Sequence, residues 1–151
     1  MTTMTEQATQ VYSVFIRATS EQVWDAITKP EFTQQYFYGS VFESTYEPGA
    51  SYCAYSSDRS EQYVEGEVIE AVPNERLVTK WRATWTPELA GEPLSRVTWE
   101  LEPASDGVTK LTVVHDNLEA SPLTAAQVAG GWSFILSGMK TLVETGKPLS
   151  T

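Results

Sequence analysis

The chain has 151 residues, of which 41% are hydrophobic and 20% charged, the composition of an ordinary globular protein with one domain. The formal net charge is −10 and the ten Lys and Arg residues form no basic cluster, so we expect no binding to nucleic acid or to anionic membranes. Cys53 is the single cysteine, which excludes an internal disulfide, and no stretch approaches the roughly 18 apolar residues of a membrane span.

The first ten residues are predicted to be loosely structured. They are polar and rich in threonine, and they lack the apolar run of a signal peptide. Together with the lone cysteine, this favours a cytoplasmic location. We expect a flexible segment at residues 1–10, a single domain at residues 11–146 and a short tail at residues 147–151.

One strand and one or two short helices are predicted to follow. Residues 11–16 are β-branched and aromatic, which favours a strand. Thr19 and Gln22 have the spacing of a capping box, which predicts a helix that ends before Pro30. Residues 31–37 are compatible with one or two further helical turns.

The middle of the sequence predicts an antiparallel sheet. From residue 41 onward, short segments with alternating apolar residues are separated by turn dipeptides such as Pro48-Gly49 and Asp106-Gly107. Strands joined by short turns prefer to pair as antiparallel neighbours. The segments that predict strands most clearly are residues 50–56, 63–72, 77–85, 97–102 and 111–116.

The end of the sequence predicts one long amphipathic helix over residues 121–146. Ser121 is a suitable N-cap, Gly146 a suitable C-cap, and Pro148 prevents continuation. Lys140 and Glu144 are spaced to form an i,i+4 pair on the polar side. Residues at helical spacing share one apolar face: Val128, Trp132, Ile135, Leu136, Met139, Leu142 and Val143.

These predictions combine into an α+β fold. The apolar face of a meandering sheet needs a cover, and the C-terminal helix carries the only large apolar stripe that can supply it. A twisted sheet that curls around one helix leaves a space lined by inward residues of both.

The order and local motifs resemble the SRPBCC (START-like, helix-grip) superfamily, and most of all its AHSA1-like branch, named after the activator of Hsp90 ATPase. The resemblance implies a helix-grip fold, in which a curved antiparallel sheet wraps around the long C-terminal helix. It also implies a cavity that binds hydrophobic or lipid-like small molecules. The segments that carry it are residues 18–28, 66–70, 73–77 with Trp81, 97–102, 109–112 with His115, and Gly131-Trp132 with Leu136 and Leu142.

The first functional hypothesis is therefore a binding site for a hydrophobic or amphipathic small molecule between the sheet and the C-terminal helix. Tryptophans 81, 85, 99 and 132 fall on predicted inward faces, where they form either an aromatic cage or ordinary core. We predict no cofactor. The predicted ligand-binding residues are Tyr52, Tyr55, Val64, Val68, Trp81, Trp99, His115, Trp132, Leu136 and Met139.

The second hypothesis is a cyclase, dehydratase or hydrolase that acts on an aromatic or polyketide-like substrate. His115, the only histidine, stands beside Asp116 at a predicted strand end and is the candidate general base. The alternative is a structural histidine that forms hydrogen bonds across the strand-to-helix connection. A zinc site has little support without a second histidine, and the glutamates alternate along outward faces, so we predict no metal site.

The third hypothesis is a co-chaperone or stress-response interaction module. It predicts an exposed patch of the aromatic residues Phe32, Tyr36, Phe37 and Tyr38. Residues 86–93 form either a lid over the cavity or an ordinary long connection. A homodimer is compatible with the sequence.

Overall fold

A computed structural model describes residues 8–150. Of the segment predicted to be flexible, residues 1–7 lie outside the described part, whereas Ala8 and Gln10 are buried. The amide of the Gln10 side chain donates to the carbonyl oxygen of Ala125, 2.9 Å away. This bond ties the start of the described chain to the C-terminal region.

The described residues form one antiparallel sheet of seven strands. The strands are β1 (Gln10–Ile16), β2 (Val41–Glu43), β3 (Cys53–Tyr55), β4 (Gln62–Val72), β5 (Arg76–Ala83), β6 (Ser95–Ser105) and β7 (Val108–Asp116). Their spatial order is β1-β7-β6-β5-β4-β3-β2, so β1 and β2 are the two edges. The strand predicted at residues 50–56 is shorter than expected, because only residues 53–55 pair continuously and Ser51 adds an isolated bridge to Glu67.

The sheet curls into a half-barrel, as the predicted helix-grip fold requires. The pairing register shifts at Val68/Glu70 in β4 and at Pro103/Ser105 in β6, and such bulges bend a strand and increase its twist. At Gly66, opposite Trp81, a side chain would collide with the carbonyl oxygen of Lys80. Only glycine permits this close approach of β4 to β5.

Five helices accompany the sheet in the described residues. They are α1 (Ser20–Thr28), α2 (Pro30–Tyr36), α3 (Pro87–Ala90), α4 (Pro122–Val128) and α5 (Gly131–Thr145). The capping box predicted at Thr19 and Gln22 is confirmed, and α1 ends before Pro30 as predicted. The predicted ion pair between Lys140 and Glu144 is also present, at 2.7 Å.

The prediction of one continuous helix over residues 121–146 is wrong, because the helix is interrupted between α4 and α5. Ala129 is extended, with ψ of 127°, and Gly130 has a left-handed φ of +82°. A left-handed residue cannot continue a right-handed helix, and glycine adopts that conformation without a steric cost. The chain therefore changes direction here, and α5 alone forms the long helix against the sheet.

The N-terminus of α4 is capped differently from the prediction. The hydroxyl of Ser121 donates to the carbonyl oxygen of Pro93 and caps no amide of its own helix. Instead, the Glu92 carboxylate accepts hydrogen bonds from the backbone amides of Leu123 (3.0 Å) and Thr124 (2.8 Å) and from the Thr124 hydroxyl (2.7 Å). The connection between β5 and β6 thus holds α4 in place.

The core lies between the concave face of the sheet and α5. Period-two alternation places Leu77, Trp99 and Leu111 on this inner face, where each is at most 2% exposed. The predicted apolar face of the C-terminal helix packs against them. Its fully buried members are Trp132, Ile135, Leu136, Met139 and Leu142.

Candidate functional site

A pocket of about 480 Å³ opens between one end of the sheet and the helices. Its sheet wall consists of Tyr63 and Val64 in β4, Trp81 near the end of β5, and Trp85 just beyond that strand. Val64 and Trp81 lie on the inward face, because both follow the alternation of their strands. The pocket therefore forms where the concave face of the sheet runs past the cover of α5.

The helix wall of the pocket is built around the break between α4 and α5. Gln127 and Val128 come from the last turn of α4, and Gly131, Trp132 and Ile135 come from the first turns of α5. Because Gly131 has no side chain, the pocket reaches the backbone of α5 at this point. The extended Ala129 and the left-handed Gly130 separate these two sets of residues, and both sets face the pocket.

The third wall is the connection between α2 and β2, which contributes Phe37, Tyr38 and Ser40. Tyr38 has a left-handed φ of +53°, which is rare for an aromatic residue, and its side chain is 61% exposed. Its ring stacks on that of Phe134, with 5.5 Å between ring centroids and 28° between ring planes. Ser40, in contrast, is buried.

Aromatic rings dominate the inside of the pocket. The ring of Trp132 lies 5.7 Å from that of Phe37 and 6.4 Å from that of Trp81, and Trp81 in turn lies 6.2 Å from Trp85. None of the lining residues is charged, and its polar side-chain groups are those of Ser40 and Gln127, the two tyrosine hydroxyls and the indole N–H groups of the tryptophans. Such a lining can hold an apolar ring and orient one polar group, but it offers no carboxylate or imidazole for acid–base chemistry.

His115 lies behind this pocket and is fully buried. The indole N–H of Trp132 donates to His115 Nδ1 over 3.1 Å. Since Nδ1 accepts, the proton of the neutral ring sits on Nε2, which donates to the Ser95 hydroxyl over 2.7 Å. That hydroxyl donates to the Trp81 carbonyl oxygen over 2.9 Å, so both ring nitrogens are used within the protein.

The surroundings of His115 favour its neutral form. Burial lowers its pKa from the usual 6.5 to about 4, although the neighbouring Asp116 carboxylate acts in the opposite direction. The effect of Asp116 is limited because Arg96 binds both of its carboxylate oxygens, at 2.8 and 2.6 Å. His115 is therefore a neutral group that links α5 to the sheet through Trp132 and Ser95.

The structure brings together three of the ten residues predicted from the sequence to bind a ligand: Val64, Trp81 and Trp132 line the pocket. Tyr55 is half-buried on β3 and lies apart from the pocket. The remaining six are buried in the core beside it, where they contact other side chains: Tyr52, Val68, Trp99, His115, Leu136 and Met139.

Several lining residues were not among those predicted. Phe37 and Tyr38 were assigned to an exposed aromatic patch with Phe32 and Tyr36, but Tyr36 and Phe37 are buried. Only the unusual density of aromatic residues before Gly39 could have drawn attention to this connection. Trp85, predicted to point inward, is 40% exposed and lies at the edge of the pocket.

The described residues contain no cluster of three or more His, Cys, Asp or Glu side chains that could hold a metal ion. Within the same residues, no helix combines the length and apolarity needed to cross a membrane.

Comparison with known proteins identifies relatives of the same fold. No curated protein matches the sequence. Among solved structures, CalU16 from Micromonospora echinospora is 20% identical, with a TM-score of 0.71, over 94% of this chain and 77% of that chain. CV1439 from Chromobacterium violaceum is 23% identical, with a TM-score of 0.71, over 91% and 97%.

Two further neighbours share the fold. DynU16, from the dynemicin biosynthetic locus, is 24% identical with a TM-score of 0.72, and the match covers 93% of this chain but 49% of that one. The Aha1 protein from Colwellia psychrerythraea, a dimer in solution, is 16% identical with a TM-score of 0.71, over 92% and 98%. Residues 17–144 match the family described as activator of Hsp90 ATPase homolog 1-like protein, and the chain belongs to this family.

Proposed function

We propose that the protein binds an uncharged, apolar or amphipathic small molecule with an aromatic ring in the pocket between the sheet and α5. The observation that carries this proposal is the lining, which contains six aromatic side chains, Trp132 and Trp81 among them, and no charged side chain. The proposal rests on the pocket and not on the structural neighbours, because identities of 16 to 24% establish a shared fold only.

The size and chemistry of the pocket suit such a ligand. A volume of about 480 Å³ falls within the range of pockets that enclose a small organic molecule. A ligand that buries about 200 Å² of apolar surface gains about 5 kcal/mol before the costs of association are subtracted. Aromatic rings add edge-to-face contacts with tryptophan. Ser40 and Gln127 are placed to orient one hydroxyl or carbonyl group of the ligand.

The proposal can be tested with variants of α4. Val128 lines the pocket and is 8% exposed, whereas Leu123 on the same helix is 50% exposed and lies outside it. Val128→Trp fills the pocket. We therefore expect it to lower the affinity for the uncharged fluorescent probe N-phenyl-1-naphthylamine more than about tenfold. Leu123→Trp is the matched control and should bind like the wild type. Equal binding by Val128→Trp, with an unchanged circular dichroism spectrum, would contradict the proposal.

Native mass spectrometry of the gently purified protein, followed by organic extraction, addresses the identity of the ligand. A retained neutral aromatic compound would agree with the proposal. A retained organic anion would contradict it, because the pocket has no cation to pair with one.

Two further statements are part of the proposal. A homodimer is proposed, for which the support is the dimeric neighbour from Colwellia psychrerythraea. Sedimentation velocity at several concentrations tests it, and a constant monomer mass would contradict it. A cytoplasmic location is proposed from the sequence, and cell fractionation with an antibody against the native protein tests it.

A further inference from the structure

Tyr38 stands between two hollows on the surface of α5. The first is the pocket already described, and the second, of about 430 Å³, lies on the other side of the Tyr38 ring. Tyr38 lines both, and it is joined in the second by Phe134 and Leu149. The two spaces are therefore neighbours that share one side chain as their common wall.

Both hollows lie along α5. Gly131 lies in the first hollow and Gly138 in the second, seven residues or about 10 Å apart along α5. At Gly131 the hollow reaches the backbone of α5, whereas at Gly138 the absence of a side chain lets Tyr36 pack closely against the helix. Phe134 lies between them, and its ring stacks on that of Tyr38. The pair Tyr38–Phe134 therefore forms a partition between the two hollows.

The partition is not held by burial. Tyr38 is 61% exposed and Phe134 is 43% exposed, so their ring contact lies at the surface. The backbone of Tyr38 has a φ of +53°, a conformation that is unfavourable for an aromatic residue. Residues in such conformations are concentrated at ligand clamps and switches.

We propose that Tyr38 determines the length of the ligand, which assumes the proposed binding function of the first hollow. With the Tyr38 ring against Phe134, the site accepts a compact uncharged molecule. A rod-shaped uncharged molecule fits only when this ring is absent or displaced, because its far end then extends across Phe134 into the second hollow. Tyr38 is thus a specificity-determining residue.

Two uncharged fluorescent probes test this proposal: compact N-phenyl-1-naphthylamine and rod-shaped 1,6-diphenylhexatriene. We expect Tyr38→Ala to increase the affinity for the rod-shaped probe about tenfold, since the second phenyl ring of this probe becomes buried. The affinity for the compact probe should change less than about threefold. Phe15→Ala removes an aromatic ring that is 55% exposed on β1, away from both hollows, and is the matched control. It should leave both affinities unchanged.

A second substitution tests whether the gain in affinity arises because the two hollows become continuous or because the protein becomes less rigid in general. Leu149→Trp fills the second hollow and, added to Tyr38→Ala, should abolish the gain for the rod-shaped probe while the compact probe still binds. If the gain survives Leu149→Trp, or if Tyr38→Ala affects both probes equally, the partition is refuted and the binding function stands. If neither probe binds the wild type or any variant, both proposals are refuted.

Discussion

At the scale of single residues, the interior contains two tryptophans that are equally buried but differ in the hydrogen bonding of their indole N–H groups. Trp99 and Trp132 are both 2% exposed, and their rings meet edge to face at 5.6 Å. The indole N–H of Trp132 donates to His115, whereas that of Trp99 has no partner among the described residues. The pair allows the hydrogen bond to be separated from the loss of ring volume.

We predict that Trp132→Phe is more destabilising than Trp99→Phe. Both substitutions remove similar volume, but only Trp132→Phe leaves the buried His115 Nδ1 without a donor, which costs about 1–3 kcal/mol. Urea unfolding of the two variants measures the difference. Equal losses in the free energy of unfolding would show that the bond between Trp132 and His115 contributes nothing to stability.

A second residue-scale prediction concerns pH. The unfolded chain takes up a proton on His115 below about pH 6.5, whereas the folded protein does so only below about pH 4. The unfolded state therefore binds more protons in this window, and the free energy of unfolding falls as the pH drops through it. The shift corresponds to about 3 kcal/mol between pH 7 and pH 4.

The comparison that isolates His115 is the variant His115→Gln. Carboxylates also titrate toward acid pH, but they are shared by both proteins, so the difference between the two curves belongs to the histidine. We expect His115→Gln to be less stable at pH 7 and to lose less stability between pH 6.5 and pH 4. Parallel curves from urea unfolding at each pH would contradict the prediction.

At the scale of elements, the break between α4 and α5 marks the limit of the sequence patterns. Val128 and Trp132 are four residues apart and share a predicted face. The helical spacing of apolar residues therefore continues across the break and does not indicate that the helix is interrupted. Ala129 and Gly130 interrupt the helix through backbone angles, which a pattern of side chains does not report. The strands were easier to predict, because the alternation of Leu77 to Ala83 directly reflects burial on one face.

The cap of α4 provides a prediction at this scale. Burial alone would raise the pKa of Glu92, but hydrogen bonds from the Thr124 hydroxyl and from the amides of Leu123 and Thr124 outweigh it and lower the pKa. We expect Glu92→Ala to destabilise the protein by about 1–2 kcal/mol, as the loss of an N-cap does. Hydrogen exchange should accelerate at the amides of Leu123 and Thr124.

Glu88→Gln is the matched control. Glu88 lies exposed in α3, in the same connection, and its replacement by glutamine also removes one negative charge. It should leave stability and exchange at α4 as in the wild type. If Glu92→Ala behaves like this control, its carboxylate does not hold α4.

At the scale of the whole molecule, the site was only partly predictable. Alternation correctly assigned Trp81 and Trp99 to the inner face, but only Trp81 lines the pocket. Alternation identifies a face and not the point along the strand where α5 stops covering it. Tyr38 and Ser40 come from a connection, where no periodicity exists. The full set of ligand-binding residues stays a prediction.

The charge of the molecule gives a prediction about ligand selection. The net charge is −10, and none of the side chains that line the pocket is charged. An organic anion therefore meets repulsion at long range and finds no cation inside. We expect pyrene-1-carboxylate to bind at least about tenfold more weakly than pyrene-1-methanol at pH 7, because the desolvated carboxylate remains unpaired.

The dependence of binding on salt distinguishes long-range repulsion from the cost of an unpaired carboxylate in the pocket. Added sodium chloride screens the long-range repulsion. It should reduce the difference in affinity between the two pyrene compounds without removing it. The affinity of pyrene-1-methanol should not depend on salt. Fluorescence titration provides both measurements, and equal affinities at low salt would contradict the prediction.

The way α5 meets β1 has a consequence for self-association. An edge strand exposes unpaired backbone groups that can recruit a strand from another molecule. Here, the Lys140 ammonium group donates to the Phe15 carbonyl oxygen over 2.8 Å, and the Arg17 amide donates to the Glu144 carboxylate over 2.7 Å. A strand added at this end of β1 must break both bonds. The helix thus protects this end of β1 against the addition of a strand from another molecule, and any dimer is expected to associate elsewhere.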